Sequence, residues 1–413
     1  MHFLYNILIV IVSFFIKLIA TFNAKLKLGV IGRTETFSKL KKHLSKNDNV
    51  IWLHCASLGE YEQGLPVFEK LKDLYPKHKF VLSFFSPSGY EIRKTNPITD
   101  IVVYLPFDTK RNAIRFLNIV NPSLVIFVKY EIWPNYFLEL EKRKIKTLLI
   151  SAYFRKDQIF FKPYGGLMRK SLKTIDHFFV QDENSQKLLH SLNIHNVSVS
   201  GDTRFDRVSN QLNIDNTLKF IEEFKNNKLC FVAGSVWPED EAIFLDYINS
   251  SDNDLKFILA PHDIKSTQIN NLKHKISKST VLFSEMNGVD LKTKQVFIID
   301  TIGILSKIYS YADIAYVGGA MGKSGLHNTL EPATFGVPVI IGKNYKNFPE
   351  AALMIQNKGM FSITSTSEFN SIALKLSKNK DFRLKSGANN SNLILKNKGA
   401  VIQIIDFIRN YYS

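Results

Sequence analysis

The sequence predicts an α/β protein of two Rossmann-like domains facing a cleft, preceded by an N-terminal membrane-anchor helix. Three features carry that expectation. Short, continuously apolar runs alternate with longer amphipathic segments, the pattern of parallel strands covered by helices on both faces. The alternation lapses over a polar stretch, RVSNQLNIDNTLKFIEEFKNNK (207–228), and then restarts. An apolar run of near-spanning length opens the chain.

That run is FLYNILIVIVSFFIKLIAT (3–21), interrupted only by Asn6, Ser13 and Lys17. A bilayer crossing needs about 20 such residues. No Lys or Arg precedes the run and no A-x-A site follows it, which argues against a cleaved signal peptide. Lys25, Lys27, Arg33, Lys39, Lys41 and Lys42 come next. By the positive-inside rule they put the body on the cytoplasmic side of a single N-terminal anchor.

The first set of strands is expected at VIWLHC (50–55), KFVLSFF (79–85), IVVYLP (101–106), LVIFVK (124–129), KTLLISA (146–152) and HFFVQ (177–181). Between them lie amphipathic segments such as LPVFEKLKDLY (65–75) and NAIRFLNIV (112–120). The second set is KLCFVAGS (228–235), LKFILAP (255–261), QVFIID (295–300), IAYVGG (314–319) and VPVIIG (337–342). The expected division is an anchor over 1–24, a first domain over 25–206, a linker over 207–227 and a second domain over 228–413.

Lys and Arg number 54 against 37 Asp and Glu, a formal charge of +17. Such an excess suits a polyanionic partner, namely an anionic membrane surface, phosphorylated substrates or nucleic acid. The basic residues form no compact run interleaved with aromatics, so nucleic acid is the weakest of these. Cys55 and Cys230 sit in apolar runs, as buried free thiols do, and supply no disulfide frame.

In open α/β sheets ligands bind beyond the carboxyl ends of strands, so the residues just after each strand are the candidates. HCASLGE (54–60) leaves a strand through a small-residue turn and presents Glu60. VKYEIWPN (128–135) presents Glu131 after another strand of the same sheet. Converging carboxylates serve as a general base and an orienting or charge-stabilising partner. GDTRFD (201–206) carries Arg204, a candidate anion clamp near the domain junction.

In the second half, AGSVWPEDE (233–241) sets Pro238 and three acids at a helix start. LAPHDIK (259–265) ends a strand with Pro261 and His262. GGAMGKSGLHNTLEP (318–332) has glycines that allow close backbone approach. Asn328, Thr329, Leu330 and Glu331 follow at a predicted helix start, where amides suit phosphate and a carboxylate suits a ribose diol. GGAMGKS lacks the four-residue gap of a Walker loop, no G-x-G-x-x-G follows a strand, and no His/Cys cluster has zinc spacing. Asp252-Asn253-Asp254 reads as a polar turn. No metal and no dinucleotide cofactor is expected.

HCASLGE, YLPFD (104–108), VKYEIWPN, GDTRFD, AGSVWPEDE, YADIAYVGG (311–319) and HNTLEP (327–332) occur in that order. The set resembles the 3-deoxy-D-manno-octulosonic acid (Kdo) transferases of lipid A assembly, over nearly the whole chain. The resemblance implies a GT-B architecture with an acceptor-binding first half and a CMP-Kdo-binding second half. It implies inverting, metal-independent transfer of Kdo from CMP-Kdo to the tetraacylated lipid A precursor at the cytoplasmic face of the inner membrane. Glu60 then falls on the general base, and Glu131 on a transition-state stabiliser. Arg204 matches a similar position that is Lys in better-known members (GNLKFD), and the two cations are not interchangeable in geometry. The CMP contacts carry over to Pro261 and His262, Ile302, Gly303 and Ile304, and Asn328 to Glu331. Two departures stand out: P-R-H is shortened to Pro261-His262, and M-G-E is Ile302-Gly303-Ile304, which leaves backbone contacts there. The alternatives are a membrane-associated GT-B enzyme using a UDP-sugar, and a non-catalytic lipid A- or membrane-binding scaffold.

Overall fold

The computed structural model describes residues 2–412. Two helices come first, α1 (His2–Ile19) and α2 (Ala24–His43). A parallel sheet of seven strands then forms from β1 (Val50–Cys55), β2 (Lys79–Phe84), β3 (Ile101–Tyr104), β4 (Pro122–Val128), β5 (Lys146–Ala152), β6 (His177–Val180) and β7 (Val197–Val199). A second parallel sheet holds β8 (Leu229–Val236), β9 (Leu255–Pro261), β10 (Thr280–Leu282), β11 (Val296–Ile298), β12 (Ile314–Val317), β13 (Val339–Ile341) and β14 (Met360–Ser362). Their orders are β3-β2-β1-β4-β5-β6-β7 and β10-β11-β9-β8-β12-β13-β14.

All eleven expected strands are present. The three that sequence patterning missed, β7, β10 and β14, have three residues each and lie at sheet edges. So short a strand leaves no periodicity to read. The central strands are buried on both faces, as their unbroken apolar runs require: β1 and β9 are buried at every position.

The chain divides after Arg207, close to the expected junction. The expected linker is not plain coil, since helices Thr203–Asn210 and Lys219–Lys225 occupy much of it. The end of the expected second domain also needs correcting: the segment from Lys398 packs with the first unit. Helix Ala400–Tyr412 buries Val401, Ile404, Ile405 and Ile408 among Leu53, Phe68 and Phe179. That i, i+3, i+4, i+7 spacing is one helix face, which the first sheet's outer layer needs as cover. Asp206 fixes its start, accepting hydrogen bonds from the Gly399 and Ala400 amides at 2.8 and 3.2 Å.

Each sheet changes direction once. In the first, the connections run outward one way from β1 and the other way from β4; in the second, the reversal falls between β8 and β12. At such a switch point adjacent loops diverge and leave a crevice at the strands' carboxyl ends.

Candidate active site in two half-sites

The first half-site lies at the switch point of the first sheet. Helix α3 (Leu58–Leu74) starts two residues past β1, with Ser57 as N-cap. Glu60 is in its first turn, buried, and its Oε2 accepts from the Ala56 amide and from the Ser57 amide at 3.1 Å. Those donors and the helix dipole favour the charge. Burial outweighs them and raises the Glu60 pKa, with Lys129 pulling the other way. Gly64 lets α3 approach β4 closely, because a Cβ there would collide with Phe68 and Val128.

Glu131 follows β4, the neighbour of β1. Its carboxyl is pushed up to about 8, first by burial and next by the Glu60 charge, against the pull of Lys129. Two carboxyls thus act on one another beside one ammonium, and the Glu60 charge helps Glu131 to keep its proton. The two motifs are also tied directly. The His54 ring is fully buried and held neutral, its pKa pushed down to about 3 by burial. It bonds Ser83 Oγ through Nδ1 at 2.8 Å, and its Nε2 accepts from Trp133 Nε1 at 3.2 Å. Trp133 closes the turn after Glu131, so this bond fastens one carboxylate loop to the strand that leads into the other.

Arg204 lies in the first turn of helix Thr203–Asn210. Its guanidinium pairs with the buried Asp202 at 2.7 Å, and Asp202 accepts from Gln63 of α3 at 2.8 Å. A cation that acts on both acids is Lys129, two residues before Glu131 and in a left-handed conformation (φ 65°). Sequence reasoning quoted VKYE without singling it out.

The second half-site lies at the switch point of the second sheet. Trp237 leaves β8 and caps helix Pro238–Ser250, whose first residue is the expected proline. Of the three acids there, Asp240 is fully buried. It accepts from the amides of Trp237 (2.9 Å) and Gly319 (2.8 Å) and from the Tyr316 hydroxyl (2.8 Å), so it pins the loops after β8 and β12 together. Gly319, at φ 95°, leaves no room for a Cβ against Gly325.

His262 follows Pro261 at the end of β9 and stacks on Trp237, ring centroids 4.4 Å apart. His327 lies 4.5 Å from His262, and its Nε2 accepts from Trp237 Nε1 at 3.1 Å. Burial first and His262 second push the His327 pKa down to about 4. A neutral ring accepting at Nε2 carries its proton on Nδ1, which can donate. Trp237 and His327 were inside motifs read from sequence, yet only the fold brings them together.

Just ahead of the short helix Leu330–Thr334, Asn328 accepts from the Leu330 amide at 3.2 Å and donates to Glu331 Oε1 at 2.9 Å. Thr329 and Leu330 are buried beneath it. Ile302, Gly303 and Ile304 form a turn past β11, with the Ile302 side chain 81% exposed and Gly303 at φ 94°. Asp252, Asn253 and Asp254 form the expected surface turn, where Asp252 and Asp254 meet Lys378 and Lys228. Among the described residues no three His, Cys, Asp or Glu side chains group as metal ligands.

Two doubly wound parallel sheets, each with its polar residues gathered at its own switch point, define the GT-B class. A crystal structure of UDP-N-acetylglucosamine 2-epimerase shares the fold, with a TM-score of 0.59, 12% identity and coverage of 89% of this chain and 97% of that one. Within the class, residues 32–207 match the family described as 3-deoxy-D-manno-octulosonic-acid transferase (kdotransferase). It is 28% identical over 377 residues to the 3-deoxy-D-manno-octulosonic acid transferase of Haemophilus influenzae, covering 87% of each. It is also 28% identical over 365 residues to a bifunctional glycosyltransferase/methyltransferase of Fusobacterium nucleatum, covering 85% of this chain and 57% of that longer protein.

Proposed function

We propose that the chain transfers Kdo from CMP-Kdo to the tetraacylated lipid A precursor, with inversion and without a bound metal. The observation that carries this reading is the Glu60–Lys129–Glu131 group at the switch point of the segment that matches the kdotransferase family. Glu60, buried and fixed by two amides, is the base. It takes the proton from an acceptor hydroxyl as that oxygen bonds to the anomeric carbon of Kdo. The bond from that carbon to the CMP phosphate breaks, and CMP leaves from the opposite face. Lys129 and the protonated Glu131 offset the charge that collects at the reacting centre.

The second unit holds the donor. The outward ring of His262, backed by Trp237 and His327, offers a stacking face for a pyrimidine. Glu331, oriented by Asn328, accepts from the ribose hydroxyls. The excess of Lys and Arg draws in an anionic donor, a phosphorylated acceptor and the anionic inner-membrane surface. Mass spectrometry of lipid product tests this, using purified protein, the lipid A precursor and either CMP-Kdo or a panel of UDP-sugars. Kdo added only from CMP-Kdo is the expected result. Product from a UDP-sugar, or none from any donor, overturns it.

A further inference from the structure

Helix α1 has the length and apolarity to cross a bilayer. Its 18 residues rise about 27 Å, so crossing would set its ends on opposite faces of the membrane. The structure ties both ends to one body. At the start, His2 Nε2 lies 2.9 Å from Asn135 Oδ1, the Tyr5 hydroxyl donates to Asp108 Oδ2 at 2.7 Å, and Asn135 Nδ2 donates to Asn6 Oδ1 at 2.8 Å. Asp108 is itself buried and receives the Asn135 and Tyr136 amides at 3.0 and 3.1 Å. At the other end the chain turns through Thr21, Phe22 and Asn23 into α2. That helix returns to the same body and fastens there through Arg33, which donates to the Leu105 carbonyl at 3.0 Å and the Phe85 carbonyl at 2.5 Å.

Contact runs along the length of α1 between these ends. Tyr5, Asn6, Ile9, Ser13 and Ile16 are half-buried and Ala20 is buried, one stripe at the three- and four-residue spacing of a helix face. The stripe gathers the polar and small residues Tyr5, Asn6, Ser13 and Ala20, with Ile9 and Ile16 between them, whereas Phe3, Leu4, Leu8, Ile11, Phe15 and Leu18 are exposed. Polarity toward the protein and apolarity away from it is the pattern of a helix lying in an interface, not of one surrounded by lipid. Lys17, Lys25 and Lys27 and the exposed Phe22 flank it with headgroup-seeking side chains.

We propose that α1 is a monotopic element. It lies in the plane of the membrane leaflet that the body faces, its outer face in the acyl layer and both ends on the same side. This rests on the membrane reading of the apolar run and changes its topology from anchor to in-plane raft. Two measurements on the full-length protein test it. A protease-cleavable tag ahead of Met1 is expected to be cut in inverted inner-membrane vesicles and protected in right-side-out ones. Single-cysteine variants Leu4→Cys, Ile11→Cys and Phe15→Cys, carrying a fluorophore in vesicles with brominated acyl chains, are expected to quench to the same depth, Cys55 and Cys230 being buried. Cleavage from the outer side, or a depth that peaks at position 11 and falls toward both ends, overturns the proposal in favour of a crossing helix. Protein found only in the soluble fraction overturns the membrane reading as well, and leaves the donor assay above unaffected.

Discussion

Glu131→Gln is the substitution that most sharply tests the proton held on Glu131. The Glu131 carboxyl rises from 4.5 to about 8, so the folded protein holds a proton that the unfolded chain releases across that interval. Stability must therefore fall as pH rises from 4.5 to 8 and level off above it. At about 1.4 kcal/mol per unit the full shift corresponds to about 5 kcal/mol. Glu131 is half-buried, so solvent screening brings this to about 2 kcal/mol. Glutamine mimics the protonated form at every pH. The variant should match the parent near pH 5 and exceed it by about 2 kcal/mol near pH 9, a few degrees in thermal unfolding. In the donor assay, ionisation of a second carboxyl beside Glu60 repels the anionic donor, so kcat/KM of the parent should decline above pH 8. The variant should lose that alkaline limb. Parallel stability curves at the two pH values, or an alkaline limb that persists in the variant, would refute the reasoning.

Glu60→Gln should lower transfer by roughly 10²–10⁴-fold while CMP affinity and melting temperature hold, and near-normal turnover would remove Glu60 from the mechanism. Glu331→Ala should weaken CMP binding by calorimetry about tenfold or more, the worth of a charged hydrogen bond, whereas Glu60→Ala should leave it nearly unchanged. Unchanged CMP affinity in a Glu331→Ala protein of lower melting temperature would reduce Glu331 to a structural partner of Asn328. Transfer should survive EDTA, and activity lost on chelation and restored by Mg²⁺ would reverse the metal-free reading.

Fold class was legible because both sheets are parallel and covered, which forces unbroken apolar runs in their inner strands. The limits of that legibility are physical. β7, β10 and β14 form because a neighbouring strand already in the sheet offers a ladder, and three residues cannot announce that alone. Helix Ala400–Tyr412 has an apolar stripe that sequence can show, but nothing local says which sheet it covers. Likewise the polar positions of α1 interrupt an apolar run in sequence, and only the backbone shows Tyr5 and Asn6 reaching Asp108 and Asn135.

The site divides the same way. Glu60, Glu131, His262 and Asn328–Glu331 stand out as candidates because each follows a strand, where the backbone has left its ladder and polar groups can gather. Which strand ends adjoin is a matter of order, and order is where the partners came from. β1 beside β4 brings Glu131 and Lys129 to Glu60; β8 between β9 and β12 brings Trp237 to His262 and His327. Lys129 and Trp237 thus owe their candidacy to neighbours more than 60 positions away or, for Trp237, on two different loops. Such residues become visible in a sequence once the strand order is fixed. The loops to read first are then the two that flank each reversal.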